Sequence, residues 1–180
     1  LYKRIYLQRL DGISINSANV LYYEKNSSGE ITELILKDVT GDAYKYGIIE
    51  SKNGSNEMGS VAESYTLNID GSLYTYSQGI QGLGVRTPIQ AVLDNSGIKS
   101  FNKLNNYSGN IEDLTHTTAM INNTTYQLSD SVIVYHTNKS YDIQKITLDS
   151  AINGNYRLTA YYDKTESRGG RIRVIIAQDK

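Results

Sequence analysis

Two histidines, His116 and His136, are the side chains here whose ordinary pKa suits proton transfer near neutrality. His116 has Asp113 three residues before it, but no second His or Glu at ligand spacing. His136 takes the slot that Glu24 holds in an earlier, similar stretch, so that slot accepts different chemistry. Both histidines read as solvated strand-end residues. Asp38-x-x-Gly41-Asp42, Asp70-Gly71 and Asp94-x-x-Gly97 set carboxylates in turns, as calcium loops do. An EF-hand loop needs D-x-[DN]-x-[DN]-G and a closing Glu, and none of the three has that density of oxygen ligands. Gly79, Gly82 and Gly84 resemble a phosphate-cradling loop only superficially: the next feature is Pro88 and a strand, and not the helix whose N-terminus receives the anion. No stretch nominates the pair of carboxylates that glycoside hydrolysis requires. Cysteine is absent, which removes thiolate nucleophiles, disulfides and Cys-based zinc. The sequence therefore assigns no catalytic residue, no metal ligand and no cofactor-binding residue.

Tyrosine is the abundant functional group, with 16 in the chain. Tyr22/Tyr23, Tyr74/Tyr76 and Tyr161/Tyr162 are placed to present rings to a sugar or a protein. Tyr also covers a thin core while its hydroxyl stays wet. Tyr74 and Tyr76 share one strand face and are the candidates for a binding strip.

The elements that must position these groups are strands. Asp11-Gly12, Asn26–Gly29, Asp70-Gly71, Asn95-Ser96-Gly97, Asn153-Gly154 and Gly169-Gly170 punctuate short apolar runs at hairpin spacing. Residues 1–10 alternate like a half-buried strand, and 13–16 and 19–25 follow as strands. Residues 51–60 read as a polar loop or a long hairpin tip around Asn53-Gly54, and 79–88, with three glycines and the single proline, as a linker or module boundary. Near the end, Ile172, Val174 and Ile176 form one inward row. Ile31-x-x-Leu34, Ile98-x-x-Phe101 and Ile143-x-x-Ile146 have helical spacing, yet they sit between turns and contain Ile and Thr. A bulge just after each turn reconciles them with strands.

Residues 20–52 lie without a gap on residues 132–164, with eight identities in 33 positions, among them Tyr23/Tyr135, Asn26/Asn138, Leu36/Leu148 and Tyr44/Tyr156. An internal repeat favours several small units over one large core. The expected architecture is all-β: tandem small barrel or sandwich modules built from a repeated hairpin. A first module covers 1–66; a second covers 67–180, made of central hairpins (67–112) and the C-terminal copy (113–180). The composition agrees, with 39% hydrophobic residues, many of them tyrosine, and 15 glycines.

A net charge of −1 without a basic stripe argues against nucleic acid as partner. No apolar run approaches the ~18 residues of a membrane span. The chain opens LYKRIYLQRL and reads as a piece of something longer.

The phrasing of VLYYEK or VIVYHT, a polar turn, and then EITELILKDVTGDAYKYGIIES or a counterpart ending YRLTAYYDK resembles the β-rich region that accompanies S-layer-homology modules. Those modules occur in cell-surface proteins of clostridia and related Gram-positive bacteria. The resemblance covers most of the chain and is strongest at 18–52 and 120–178. It implies a non-catalytic extracellular scaffold or spacer without cofactor. Its partners would be neighbouring domains or copies of itself, engaged through open strand edges, or a cell-wall or other polysaccharide. The alternative is a carbohydrate-binding or adhesion module that uses exposed tyrosines.

Overall fold

The computed structural model describes residues 2–57, 60–77, 82–138, 140 and 142–180. The fold is all-β, with one short α-helix among the described residues. Its contacts divide it into a small unit, residues 1–43 with 164–170, and a larger one, residues 44–163 with 171–180. The expected boundary at residue 66 falls inside a strand, and the division is cut elsewhere.

The small unit carries one hairpin, β1 (Val20–Lys25) with β2 (Ile31–Leu36). Asn26 builds its turn: Oδ1 accepts the backbone N–H of Ser28 and Glu30, and Nδ2 donates to Glu30 Oε2. The rest is held mostly by polar contacts. Arg9 Nε sits 3.1 Å from Asp42 Oδ2, and its Nη2 donates to Gly169 O at 2.8 Å. Lys164 Nζ donates to the carbonyls of Asp38 and Val39. Gly169 has φ +80, and a Cβ there would meet Val39 O at 2.3 Å, so the Gly169-Gly170 turn tolerates no side chain. The strand expected over 1–10 is not formed. Leu7–Leu10 make a 3-10 turn that points Arg9 at Asp42, residues 2–6 are irregular, and 13–16 are not a strand either. The alternating pattern there has no ladder partner.

The larger unit begins with an antiparallel sheet of β3 (Lys45–Glu57), β4 (Ser60–Ile69), β5 (Ser72–Tyr76), β6 (Pro88–Asp94) and β7 (Gly97–Lys103), in spatial order β5-β4-β3-β6-β7. Asp70 (φ 54) and Gly71 (φ 89) make the tight turn between β4 and β5 that their types require. Of the two readings of residues 51–60, the long hairpin is the one formed, as β3 pairs with β4 out to Glu57 and Ser60; Asn53 and Gly54 lie in its ladder opposite Ser64 and Glu63 and not at its tip. The connection between these strands (58–59) lies outside the described residues, as do Gly79 and the neighbouring part of the expected linker (78–81).

A second sheet follows: β8 (Asn105–Asn106), β9 (Asp113–Leu114), β10 (Thr118–Ile121), β11 (Thr124–Thr137), β12 (Ile143–Ile146), β13 (Tyr156–Tyr162) and β14 (Ile172–Asp179). The order is β8-β13-β14-β11-β10-β9, with β12 on β11. Asn122 and Asn123, both at positive φ, turn β10 into β11. Between β12 and β13 lies helix α1 (Leu148–Asn153), capped by Thr147 Oγ1, which accepts the Ser150 N–H. Asn153-Gly154 is thus the end of a helix and not a hairpin turn.

The two sheets of this unit face one another. Tyr46 and Ile48 of β3 pack with Ile133 and Tyr135 of β11 and with Val174 and Ile176 of β14. Both sheets are also covered on their far sides: Ile49 joins Leu67, Ile89 and Phe101, while Ile175 joins Val134, Ala160 and Leu158. β14 is central and buried on both faces, so its apolar run is continuous and not one inward row. Ile172 lies with Ile175 and Ala177, away from Val174 and Ile176. The reason is a bulge: Tyr161 pairs with Val174 and Tyr162 with Ile172, which leaves Arg173 as the extra residue.

Bulges also explain two of the three i, i+3 pairs. Register slips at Glu24/Lys25 and at Val92/Leu93 absorb one residue each after their turns. Ile143–Ile146 runs in regular register, and the two isoleucines join different cores as alternation demands.

Tyr135 ties β11 to the β4–β5 turn: its hydroxyl donates to Asn68 O at 2.8 Å and accepts the Asp70 N–H at 3.0 Å. Burial pushes its phenol pKa up, and burial does the same to Tyr161. The fold therefore favours the protonated phenols. An unfolded tyrosine ionises near pH ~10, so their contribution is complete below that pH and is lost as pH rises beyond it. Tyr135→Phe should cost about 1–3 kcal/mol near neutral pH, by taking the hydroxyl partner from the Asp70 N–H and one donor from the Asn68 carbonyl. It should also flatten the decline of stability above pH ~10 in denaturant titrations.

Candidate functional site

The residues expected as a sugar-binding strip are not exposed together. Tyr74 is half-buried, and Tyr76 is buried with its ring edge-on to Phe101 at 5.1 Å. Both belong to the core of the first sheet. They lie on one face of β5 as expected, but that face points inward. Tyr161 and Tyr162 are half-buried too, and Tyr162 stacks on Tyr107 at 4.3 Å.

The histidines are paired with carboxylates far off in sequence. His116 Nε2 lies 2.7 Å from Asp149 Oδ1, and His136 Nε2 lies 2.8 Å from Asp179 Oδ1. The former pair is open to solvent, and Asp113 is not its partner. The latter borders an open cleft of about 210 Å³ lined by Arg86, Thr137, Asn138, Arg157, Gln178 and Asp179. Arg86 reaches it from a backbone at φ 68 and donates through Nη2 to Asn138 O. A carboxylate-oriented imidazole is half of a nucleophilic device, and a hydroxyl within reach would complete it. The neighbouring hydroxyl belongs to Thr137, the next residue of the same strand. Successive strand residues point to opposite faces, so that hydroxyl and the His136 ring do not form a nucleophile–base pair. What converges on the cleft are guanidinium and amide donors beside one carboxylate.

Three of the turn carboxylates have a local role. Asp42 is paired with Arg9, Asp70 sits 2.6 Å from Lys145 Nζ, and Asp94 accepts the side-chain and backbone hydrogen bonds of Ser96, which lower its pKa. Among the described residues no three His, Cys, Asp or Glu side chains gather as metal ligands do.

Among the described residues the most deeply buried charge is one that no motif in the sequence singles out. Arg173, at the bulge in β14, meets Asp163 Oδ2 through Nε at 3.1 Å and Nη2 at 3.0 Å. Its Nη1 donates to Ser129 Oγ, and its guanidinium covers the Tyr46 ring at 4.9 Å from the centroid. Asp163 also accepts the Tyr46 hydroxyl and the Arg171 N–H. The available signal was an arginine inside an apolar strand, RIRVII, which needs a buried anion.

Among the described residues, β1–β2 is a hairpin that pairs with no further strand. Leu21, Tyr22, Tyr23, Ile31 and Leu34 are all exposed on it, and β1 and β2 form a sheet of two strands. No protein-family model, curated protein or solved structure matches the chain.

Proposed function

We propose that this chain is a non-catalytic spacer or assembly module of a bacterial cell-surface protein, acting outside the cell through protein contacts and without a cofactor. The observation that carries this reading is the β1–β2 hairpin, which holds five large apolar side chains in solvent on a two-stranded sheet. A lone hairpin is marginal in water, and an exposed apolar edge strand is a template for another chain. A partner that covers it resolves both difficulties. The paired histidines and the buried Arg173–Asp163 pair support a structural use of the ionisable groups. The surface location rests on the phrasing of the repeated sequence. The carbohydrate alternative loses Tyr74 and Tyr76 as its exposed residues.

Leu21→Asp with Tyr23→Asp is expected to abolish association of the chain with itself or with its parent's neighbouring domains in analytical ultracentrifugation. The larger unit should keep its amide spectrum. Antibody labelling of intact cells should reach the module. Association unchanged by the double substitution, or labelling only after lysis, would count against the reading.

A further inference from the structure

We infer that the outer edge of β1 takes up one more strand from another polypeptide, running parallel to β1. That strand is apolar beside Leu21, Tyr22 and Tyr23 and basic beside Glu24. This rests on the reading of the hairpin as an assembly face and says what covers it.

The chain holds a second hairpin that matches β1–β2 in sequence. Residues 20–25 align with 132–137, and both lead into a turn built by the same residue. Asn138 Oδ1 accepts the Asp142 N–H and its Nδ2 donates to Asp142 Oδ2, as Asn26 does with Glu30. The first pair beyond the turn is also equivalent, Lys25 with Ile31 and Thr137 with Ile143. In the larger unit this strand has two neighbours. β12 takes one edge, and β14 takes the other in parallel, pairing Ile133 with Val174, Val134 with Ile175, Tyr135 with Ile176 and His136 with Ala177. This strand is paired on both edges and packed on both faces: Val134 and Tyr135 are 1% and 0% exposed, Tyr135 against Tyr46 and Ile48 of the facing sheet. Their counterparts Tyr22 and Tyr23 are 47% and 55% exposed, on a strand that among the described residues pairs with β2 alone. Among the described residues, β1 has β2 in the place of β12 and no strand in the place of β14.

Charge specifies the remaining position. Glu24 lies directly across from Glu33, and like charges opposite one another destabilise a hairpin. A cation beside Glu24, in the place Ala177 holds beside His136, relieves that pair. A second copy's β1 docked antiparallel about its centre would set Leu21 there and leave the carboxylates facing each other.

The test uses the intact, isotope-labelled chain and a synthetic peptide of residues Arg171–Gln178 carrying Ala177→Lys, with a nitroxide at its N-terminus. The expected result is slowed amide exchange along Val20–Lys25, relaxation enhancement strongest near Val20, and affinity about fivefold above that of the Ala177→Glu peptide. Enhancement strongest near Lys25, equal affinities for the two peptides, or β1 amides that stay unprotected would overturn the inference. The assembly reading would survive each of these if Leu21→Asp with Tyr23→Asp still abolished association, and would fall separately if it did not.

Discussion

Asp163→Asn is expected to destabilise the larger unit by about 3–5 kcal/mol, because it strips the counter-charge from a guanidinium that cannot reach water. Arg173 and Asp163 are 1% and 3% exposed in their side chains. Asparagine keeps one acceptor oxygen, while Asp163 serves Arg173, the Tyr46 hydroxyl and the Arg171 N–H at once. The effect should appear as a lower urea midpoint with an unchanged slope. Replacing both partners by apolar residues, Asp163→Leu with Arg173→Met, should cost less than Asp163→Asn alone, since no orphaned charge remains. A loss below about 1 kcal/mol for Asp163→Asn would mean that water reaches Arg173, contrary to its burial.

The second large effect is expected at the centre of β14. Ile175 is fully buried and packs with Val134, Leu158 and Ala160. It pairs with Ala160 on one side and Val134 on the other, so the backbone around it is held by two ladders and cannot collapse onto a void. Ile175→Ala should cost about 2–5 kcal/mol, the transfer of the lost methyls plus the cavity left behind. Leu73→Ala on the exposed side of β5, at 61% exposure, should stay within about 0.5 kcal/mol. Equal costs at the two positions would contradict the placement of β14 at the core.

Local turn chemistry made much of the strand framework legible before the fold was known. Asp70-Gly71 and Asn95-Ser96-Gly97 mark real hairpins because their residues accept the backbone angles that such turns demand. Asn122-Asn123 carries the same signal without a glycine, since asparagine tolerates positive φ. Tertiary pairing decided the rest. Asn53-Gly54 has hairpin composition, yet the ladder with β4 runs through it. The aligned segments also part after their hairpins: Thr147 caps a helix in one, and Ile35, at the same position in the other, has no oxygen to do so. Tyr74 and Tyr76 show the limit for sites. Alternation places them on one face, but only the packing of Phe101 against that face shows that it is the inner one.

Amide hydrogen exchange on the isolated chain, compared with the chain in its assembled or cell-surface form, tests the role of the hairpin most directly. The expected result is fast exchange at Val20–Lys25 in the isolated chain beside slow exchange at residues 132–137, with β1 becoming protected on assembly. Slow exchange along β1 in the isolated monomer, or no gain of protection on assembly, would contradict the assignment of that edge as the contact surface.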